Sequence, residues 1–193
     1  MFEYLMPSLW MRSYSNTLLD RSRTGAVRSQ RAYGASHRVP WGISECAYAE
    51  RDEAGNYQYR AFGIPSLAIH QDESHRLVIS PYSTFLALSV DPGGSLRNLY
   101  KMKAKGWCGA YGFYEAADYT SQNRRPRQPE LVRCWMAHHQ GMSLLAMANF
   151  IKDNVVQRWF HGDLRVQATE LLLHEKPIVN LPKDRLLRRT SSA

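Results

Sequence analysis

Met142-Ser143-Leu144-Leu145-Ala146-Met147-Ala148-Asn149-Phe150-Ile151 places eight apolar residues in ten positions. Wound as a helix, they fall on nearly every face, so this helix needs enclosure all round. It is the second half of a helix predicted over about 131–151. Ser80-Pro81 opens another helix of the same kind, with Pro in its favoured first-turn position. That helix runs to about Val90 and is also apolar on most faces. Between and after them lie helices with one apolar side. Over about 94–105, Leu96, Leu99, Tyr100 and Lys103 fall on one side, and Lys101 and Lys105 on the other. A second one-sided helix is predicted over about 164–175. Enclosed helices alternating with half-exposed ones are what a double ring produces; a plain bundle would be amphipathic throughout. The fold class expected is therefore all-α, with short β or loop insertions.

The remaining chain reads as shorter pieces. Residues 2–12 form a helix that Pro7 must start or kink. Asn16 or Thr17 caps a helix running to about Ala35, punctuated by Gly34 and Pro40. Ser44 opens a short helix over 44–51. Asp52-Glu53-Ala54-Gly55-Asn56 is a turn, and Tyr57-Gln58-Tyr59-Arg60-Ala61-Phe62 a short strand or a loop. Residues 66–70 and 76–79 suggest a small hairpin. Gly106–Gly112 and 120–129 are loops, and 153–160 is a small helix. The compact domain is expected over 1–176, with 177–193 as a C-terminal tail.

The composition is that of a soluble globular domain: 193 residues, 44% hydrophobic and 22% charged. The net charge of +8 permits an acidic partner. Much of it is local, however, in Arg124, Arg125 and Arg127 and in Lys183, Arg185, Arg188 and Arg189. No nucleic-acid-binding motif is present, and no nucleic-acid partner is expected. The three cysteines, Cys46, Cys108 and Cys134, form neither a disulfide framework nor a C-x-x-C metal motif. No apolar stretch approaches the ~20 residues of a membrane span. No signal-peptide pattern opens the chain.

Two motifs carry the chemistry: Trp41-Gly42-Ile43-Ser44-Glu45 and Tyr111-Gly112-Phe113-Tyr114-Glu115. Each is an aromatic residue, Gly, two residues and Glu, followed by small residues. Both glutamates are expected at helix starts, where the dipole favours an acid. Paired carboxylates among aromatic rings suit glycosidic-bond chemistry. The same pattern is also that of two capped helices with their aromatics in the core.

Five runs in order carry a family resemblance: Phe2-Glu3-Tyr4-Leu5-Met6-Pro7, Val39–Glu45, Tyr57–Gly63, Tyr111–Ala116 and Met136–Ser143. Arg165–Leu173 extends it. Together they resemble the glycoamylase-like domain of bacterial cyclic β-1,2-glucan synthases, over about residues 1–176. The resemblance implies a partial (α/α)6 toroid, since such a barrel needs twelve helices and about seven or eight are read here. It implies a fragment of a larger synthase whose other domains would be partners. It also implies a parent at the cytoplasmic side of the bacterial inner membrane, though this chain carries no span. The implied activity is retaining transglycosylation that closes linear β-1,2-glucan into a ring, without cofactor or metal. Hydrolysis of the same glucan and a non-catalytic glucan-binding role remain alternatives.

Under this resemblance Glu45 and Glu115 become the catalytic pair. Retention uses one carboxylate as nucleophile and the other as acid/base. Which is which stays open. Excluding water would favour a sugar hydroxyl as acceptor. Trp41, Tyr57, Tyr59, Tyr82 and Tyr114 are candidate stacking platforms. Arg60, His138, His139 and Gln140 are candidate hydroxyl partners. His138 and His139 point about 100° apart on a helix, so at most one faces the site. Asp20, Asp52, Asp118 and Glu170 rank below the two glutamates, with Asp118 the first substitute. Cys46 lacks a paired base, so no thiol catalysis is expected.

Overall fold

The computed structural model describes residues 1–68, 76–120 and 128–175. Seven helices among them carry the architecture: α1 (Phe2–Leu5), α2 (Leu18–Ser36), α3 (Pro81–Leu86), α4 (Pro92–Ala104), α5 (Ala137–Ile151), α6 (Val155–Phe160) and α7 (Leu164–Thr169). Tight 3-10 turns follow α1, α3 and α7, at Met6–Leu9, Ala87–Ser89 and Glu170–His174. Three small antiparallel sheets lie between the helices. β1 (Cys46–Arg51) pairs with β2 (Tyr57–Arg60). β3 (Val78–Ile79) and β7 (Glu130–Val132) flank β6 (Ala116–Asp118). β4 (Cys108–Gly109) pairs with β5 (Gly112–Phe113).

Several elements form as local chemistry dictates. Thr17 caps α2: its hydroxyl accepts from the Asp20 N–H (3.1 Å), and the Asp20 carboxylate accepts from the Asn16 N–H (3.2 Å). Asp91 caps α4 through the Gly94 N–H, with Pro92 in the first turn. The segment from Pro81 to Leu88 is buried along most of its length, as an enclosed helix should be.

Other expectations are corrected. No helix forms over 44–51: Cys46–Arg51 is strand β1. Cys46, Ala47 and Tyr48 are buried there, and β1 pairs with the aromatic strand β2 across the Asp52–Asn56 turn. Pairing and burial outweigh the local helix preference of alanine. Glu115 likewise precedes strand β6, so neither motif glutamate opens a helix. The helix expected over 131–151 starts only at Ala137, because Glu130–Val132 is held as a strand by β6. The helix expected over 2–12 is one α-turn and a 3-10 turn ending at Leu9, with Pro7 at the start of the latter. Val78 and Ile79 pair with β6, and the hairpin expected from 66–70 and 76–79 falls in part on 69–75, which lie outside the described residues. The tail over 177–193 also lies outside them. Nor is α5 enclosed all round, since Leu144, Phe150 and Ile151 are exposed. It packs on α3 with one side only, through Met142, Leu145 and Ala146.

Two apolar clusters make the core. One gathers Tyr48, Ile64, Ile79, Met102, Trp107 and Val132 around the sheets. The other joins Leu5, Leu9, Val27, Trp41, Tyr82 and Leu86 between the helices. The segment Trp41–Glu45 runs between them and is pinned by side-chain amides. Gln30 of α2 donates to the Ile43 carbonyl (2.8 Å) and accepts from the Ile43 N–H (2.9 Å). Asn98 of α4 donates to the Trp41 carbonyl (2.7 Å) and accepts from its N–H (3.2 Å).

Between these anchors Gly42 has φ +124°, and a Cβ there would lie 2.6 Å from Ser83 Oγ. Gly42→Ala is expected to destabilise the fold by at least about 1–3 kcal/mol from backbone strain alone. Thermal unfolding measures this, and an unchanged midpoint would show that the segment relaxes freely.

Candidate active site

The two motif glutamates meet through the fold. Ser44, next to Glu45, accepts from the Phe2 N–H (3.0 Å), which seats α1 on the motif. The Tyr82 hydroxyl lies 2.9 Å from Ser44 Oγ and 3.0 Å from the Glu45 carbonyl oxygen. Glu45 is half-buried, and its Oε1 accepts from the Tyr59 hydroxyl (3.3 Å). β2 projects Tyr59 towards α5, where the hydroxyl also lies 3.5 Å from His139 Nε2.

Glu115 is 2% exposed and sits between β5 and β6. Its N–H donates to the Cys134 carbonyl (3.0 Å), which sets the backbone. Its Oε1 accepts from the Ala47 N–H of β1 (3.2 Å). His139 Nδ1 lies 2.8 Å from Oε1 and 3.0 Å from Oε2. The imidazole is 1% exposed and stacks on the Tyr82 ring, with centroids 3.7 Å apart and planes within 8°. Glu45, Tyr59, His139 and Glu115 thus form one continuous chain of polar groups. A cavity of about 290 Å³ opens beside it, lined by Tyr82, Phe113, Tyr114, Glu115, His139 and Gln140 among others. Glu45 approaches from the Tyr59 side, outside that lining.

The structure brings Glu45, Glu115, Tyr59, Tyr82, Tyr114, His139 and Gln140 together. Tyr82 is a buried wall rather than an open platform. Gln140 donates to the Phe113 carbonyl (3.4 Å). Of the adjacent histidines, His139 takes the buried position and His138 is exposed at the rim, its ring 6.3 Å from that of Tyr59. Burial, then His139, holds the His138 pKa below its usual value.

Three candidates lie apart. Trp41 is buried in the helical cluster. It lines a different cavity of about 690 Å³ between α2 and α4, beside Arg28, Arg97 and Lys101. Tyr57 lies under the Arg51 guanidinium, 4.1 Å from its ring centre, and its hydroxyl accepts from Arg51 (2.7 Å). Arg60 is exposed, its guanidinium 6.0 Å from the Tyr48 ring. Tyr57 and Tyr59 are two positions apart and would share a face in a regular ladder, yet they reach different neighbours. Here the β1–β2 register shifts between Ala47 and Arg51.

The lesser carboxylates have structural duties. Asp118 accepts from the Ala49 N–H (3.1 Å) and the Thr120 N–H (2.8 Å). Asp20, in the first turn of α2, accepts from the Asn16 N–H, Asp52 accepts from the Asn56 N–H (2.8 Å), and Glu170 binds Arg12 and Tyr14. Burial pushes the Cys46 thiol well above its ordinary pKa, which suits a core residue. Trp135 was not singled out from the sequence. It packs against Tyr111 and Tyr114, each ring pair 5.3 Å apart, and its only signal was its place just before the Met136–Ser143 run.

A mainly helical scaffold with paired glutamates among aromatic rings beside a cavity is the arrangement of a carbohydrate-active domain. The chain belongs to the glycoamylase family: the family model, described as "Putative glucoamylase", matches residues 1–163. It is 40% identical over 187 residues to the cyclic beta-(1,2)-glucan synthase NdvB of Rhizobium meliloti (strain 1021). That match takes in 94% of this chain and 6% of the relative, so the chain spans a small part of that protein's length. Among solved structures, an endo-beta-1,2-glucanase from Chitinophaga pinensis, in complex with sophorotriose and glucose, shares the fold. The TM-score is 0.63 at 20% identity, over 89% of this chain and 40% of that one. No helix among the described residues is long and apolar enough to cross a membrane.

Proposed function

We propose that this chain is part of a β-1,2-glucan-processing (α/α)6 domain that closes linear glucan into a ring by retaining transglycosylation. Glu45 and Glu115 are its catalytic pair. The observation that carries this reading is their convergence. Two glutamates about 70 residues apart are joined through Tyr59 and His139, beside an aromatic-walled cavity. The match to a cyclic β-1,2-glucan synthase supports the substrate.

In the first step the acid protonates the bridging oxygen of a β-linkage while the other carboxylate attacks the anomeric carbon. A glycosyl ester forms and a shortened chain leaves. In the second step a hydroxyl of the bound chain attacks the same carbon, its proton passes to the acid/base, and the ester is released. Two inversions retain the configuration. With water as the acceptor the same steps give hydrolysis, which is the reading favoured if the site admits water.

Mass spectrometry after incubation with linear β-1,2-glucan tests this. The expected products are ions one water lighter than linear chains of equal length. Shorter linear chains alone would mean hydrolysis. Unaltered glucan in the presence of folded protein overturns the catalytic reading and leaves binding. The other domains of such a synthase are the proposed partners of this chain, and the cytoplasmic side of the inner membrane is its proposed place.

A further inference from the structure

We infer that Tyr59 and His139 form a proton wire through which Glu45 and Glu115 share a single proton. The use of the wire rests on the proposed glucan chemistry; its test does not.

The four groups are in hydrogen-bond reach in series. Glu45 Oε1 lies 3.3 Å from the Tyr59 hydroxyl, which lies 3.5 Å from His139 Nε2, and His139 Nδ1 lies 2.8 Å from Glu115 Oε1. The tyrosine hydroxyl has one proton and faces two acceptors, so it points to one or the other. Neutral imidazole carries its proton on one nitrogen at a time. Two aligned arrangements follow. In the first, protonated Glu115 donates to Nδ1, Nε2–H donates to the Tyr59 oxygen, and the Tyr59 hydroxyl donates to the Glu45 carboxylate. In the second, protonated Glu45 donates to the Tyr59 oxygen, the Tyr59 hydroxyl donates to Nε2, and Nδ1–H donates to the Glu115 carboxylate. Three proton moves interconvert them: Glu115 to Nδ1, Nε2 to the Tyr59 oxygen, and Tyr59 to Glu45. One proton leaves Glu115, one arrives at Glu45, and Tyr59 and His139 end neutral.

The geometry holds this wire in place. His139 is clamped face to face on Tyr82, and the Ala47 N–H fixes Glu115 Oε1. The other titratable groups facing the cluster are Tyr82, Cys46, Cys134, His138 and, beside Glu45, the Met1 amino group, whose pKa burial lowers. Burial raises the Tyr82 phenol, the Cys46 thiol and, to about 11, the Cys134 thiol, so these keep their protons near neutral pH. Burial, then Glu45, also raises the Tyr59 phenol, so Tyr59 passes a proton only by receiving one as it gives one. For retaining chemistry the wire has a consequence: one proton shared by the pair leaves one glutamate protonated, as an acid must be, and the other ionised, as a nucleophile must be. Where Glu45 is the nucleophile, its charge is gone once it becomes an ester, and Tyr59 turns to Nε2. That fixes Nδ1–H towards Glu115, which then stands as a base.

The test reads protons and not turnover. In protein labelled with ¹⁵N-histidine, the His139 ring is expected to change from Nε2–H to Nδ1–H as Glu115 ionises. One fixed tautomer, or an imidazolium at all pH values, overturns the wire. In protein labelled with ¹³C-glutamate, Glu45→Gln is expected to move the Glu115 titration by about one unit or more, the mark of coupled sites. In a Tyr59→Phe background the same substitution should move it by less than half as much. Equal movement in both backgrounds would show coupling through space, and none in either would show independent carboxylates. Either result overturns the wire whether or not the protein acts on glucan. Failure to cyclise glucan with these titrations as expected would sink the proposed function and leave the wire standing.

Discussion

Glu115→Gln is expected to lower the formation of new β-1,2 linkages by about 10²–10⁴-fold, the range for loss of a general acid or base. If Glu115 is instead the nucleophile, the loss runs to the limit of detection. The substitution suits the site because the fold should survive it. The amide oxygen still accepts from the Ala47 N–H, and the Nδ1–H tautomer of His139 still has an acceptor. What is removed is the ability to take up and release a proton, or to carry the sugar as an ester. Glu115→Ala, by contrast, removes the acceptor of a buried N–H at a cost of about 1–3 kcal/mol, so its loss of activity is ambiguous. The measurement is the initial rate of product formation by mass spectrometry, beside a thermal melt of each variant. An unchanged rate for folded Glu115→Gln would reduce Glu115 to a structural role, the one Asp118 plays for Ala49. Glu45→Gln should show a comparable loss, since the proposed mechanism uses both carboxylates for its two inversions. A large loss at one glutamate only would point to a partner carboxylate elsewhere.

The parts of this arrangement that were legible in the sequence are those set by local chemistry. The α2 cap, the Ser80-Pro81 start and the Asp52–Asn56 turn depend on residues within a few positions; the last two stand as expected, and of Asn16 and Thr17 it is Thr17 that caps. Placement of the glutamates was read wrongly in its detail. Ala47, Ala49, Ala116 and Ala117 favour helix as isolated residues, yet all four lie in strands. Their pairing partners are distant: Cys46 stands opposite Arg60, and Ala117 lies between Ile79 and Leu131. No local window contains that information. Burial of Glu115 follows from the same sheets, because β1 approaches β6 closely enough for the Ala47 N–H to reach its carboxylate. The choice between His138 and His139 was narrowed to one by helix geometry, and packing against Tyr82 decided which. Trp41 misled for the opposite reason. It belongs to the motif as sequence, but Gly42 turns the chain so that its ring packs between α2 and α4 while Glu45 reaches the site. The exposed Leu144, Phe150 and Ile151 show the limit of pattern reading: apolarity on every face states what a helix needs covered, not what covers it.

Gln30→Ala is expected to be among the most destabilising polar substitutions in the protein. Gln30 is 1% exposed, and its amide takes both backbone groups of Ile43. Its removal strands a buried N–H and a buried carbonyl, at about 1–3 kcal/mol each. The expected total of roughly 2–6 kcal/mol corresponds to a fall of about 4–24 °C in Tm for a chain of this size. The effect should also reach the site, because Ile43 is two residues from Glu45 and the intervening Ser44 receives Tyr82 and α1. Asn98 holds Trp41 in the same manner from α4. If the two amides grip one segment as a unit, either loss frees it, and the second then costs less. The double substitution Gln30→Ala with Asn98→Ala should therefore destabilise by clearly less than the sum of the two single changes. Urea denaturation of the four proteins measures this. Full additivity would mean that each amide satisfies its own residue independently. In that case Glu45 would depend on Gln30 alone, and Asn98→Ala should leave glucan turnover per folded molecule untouched.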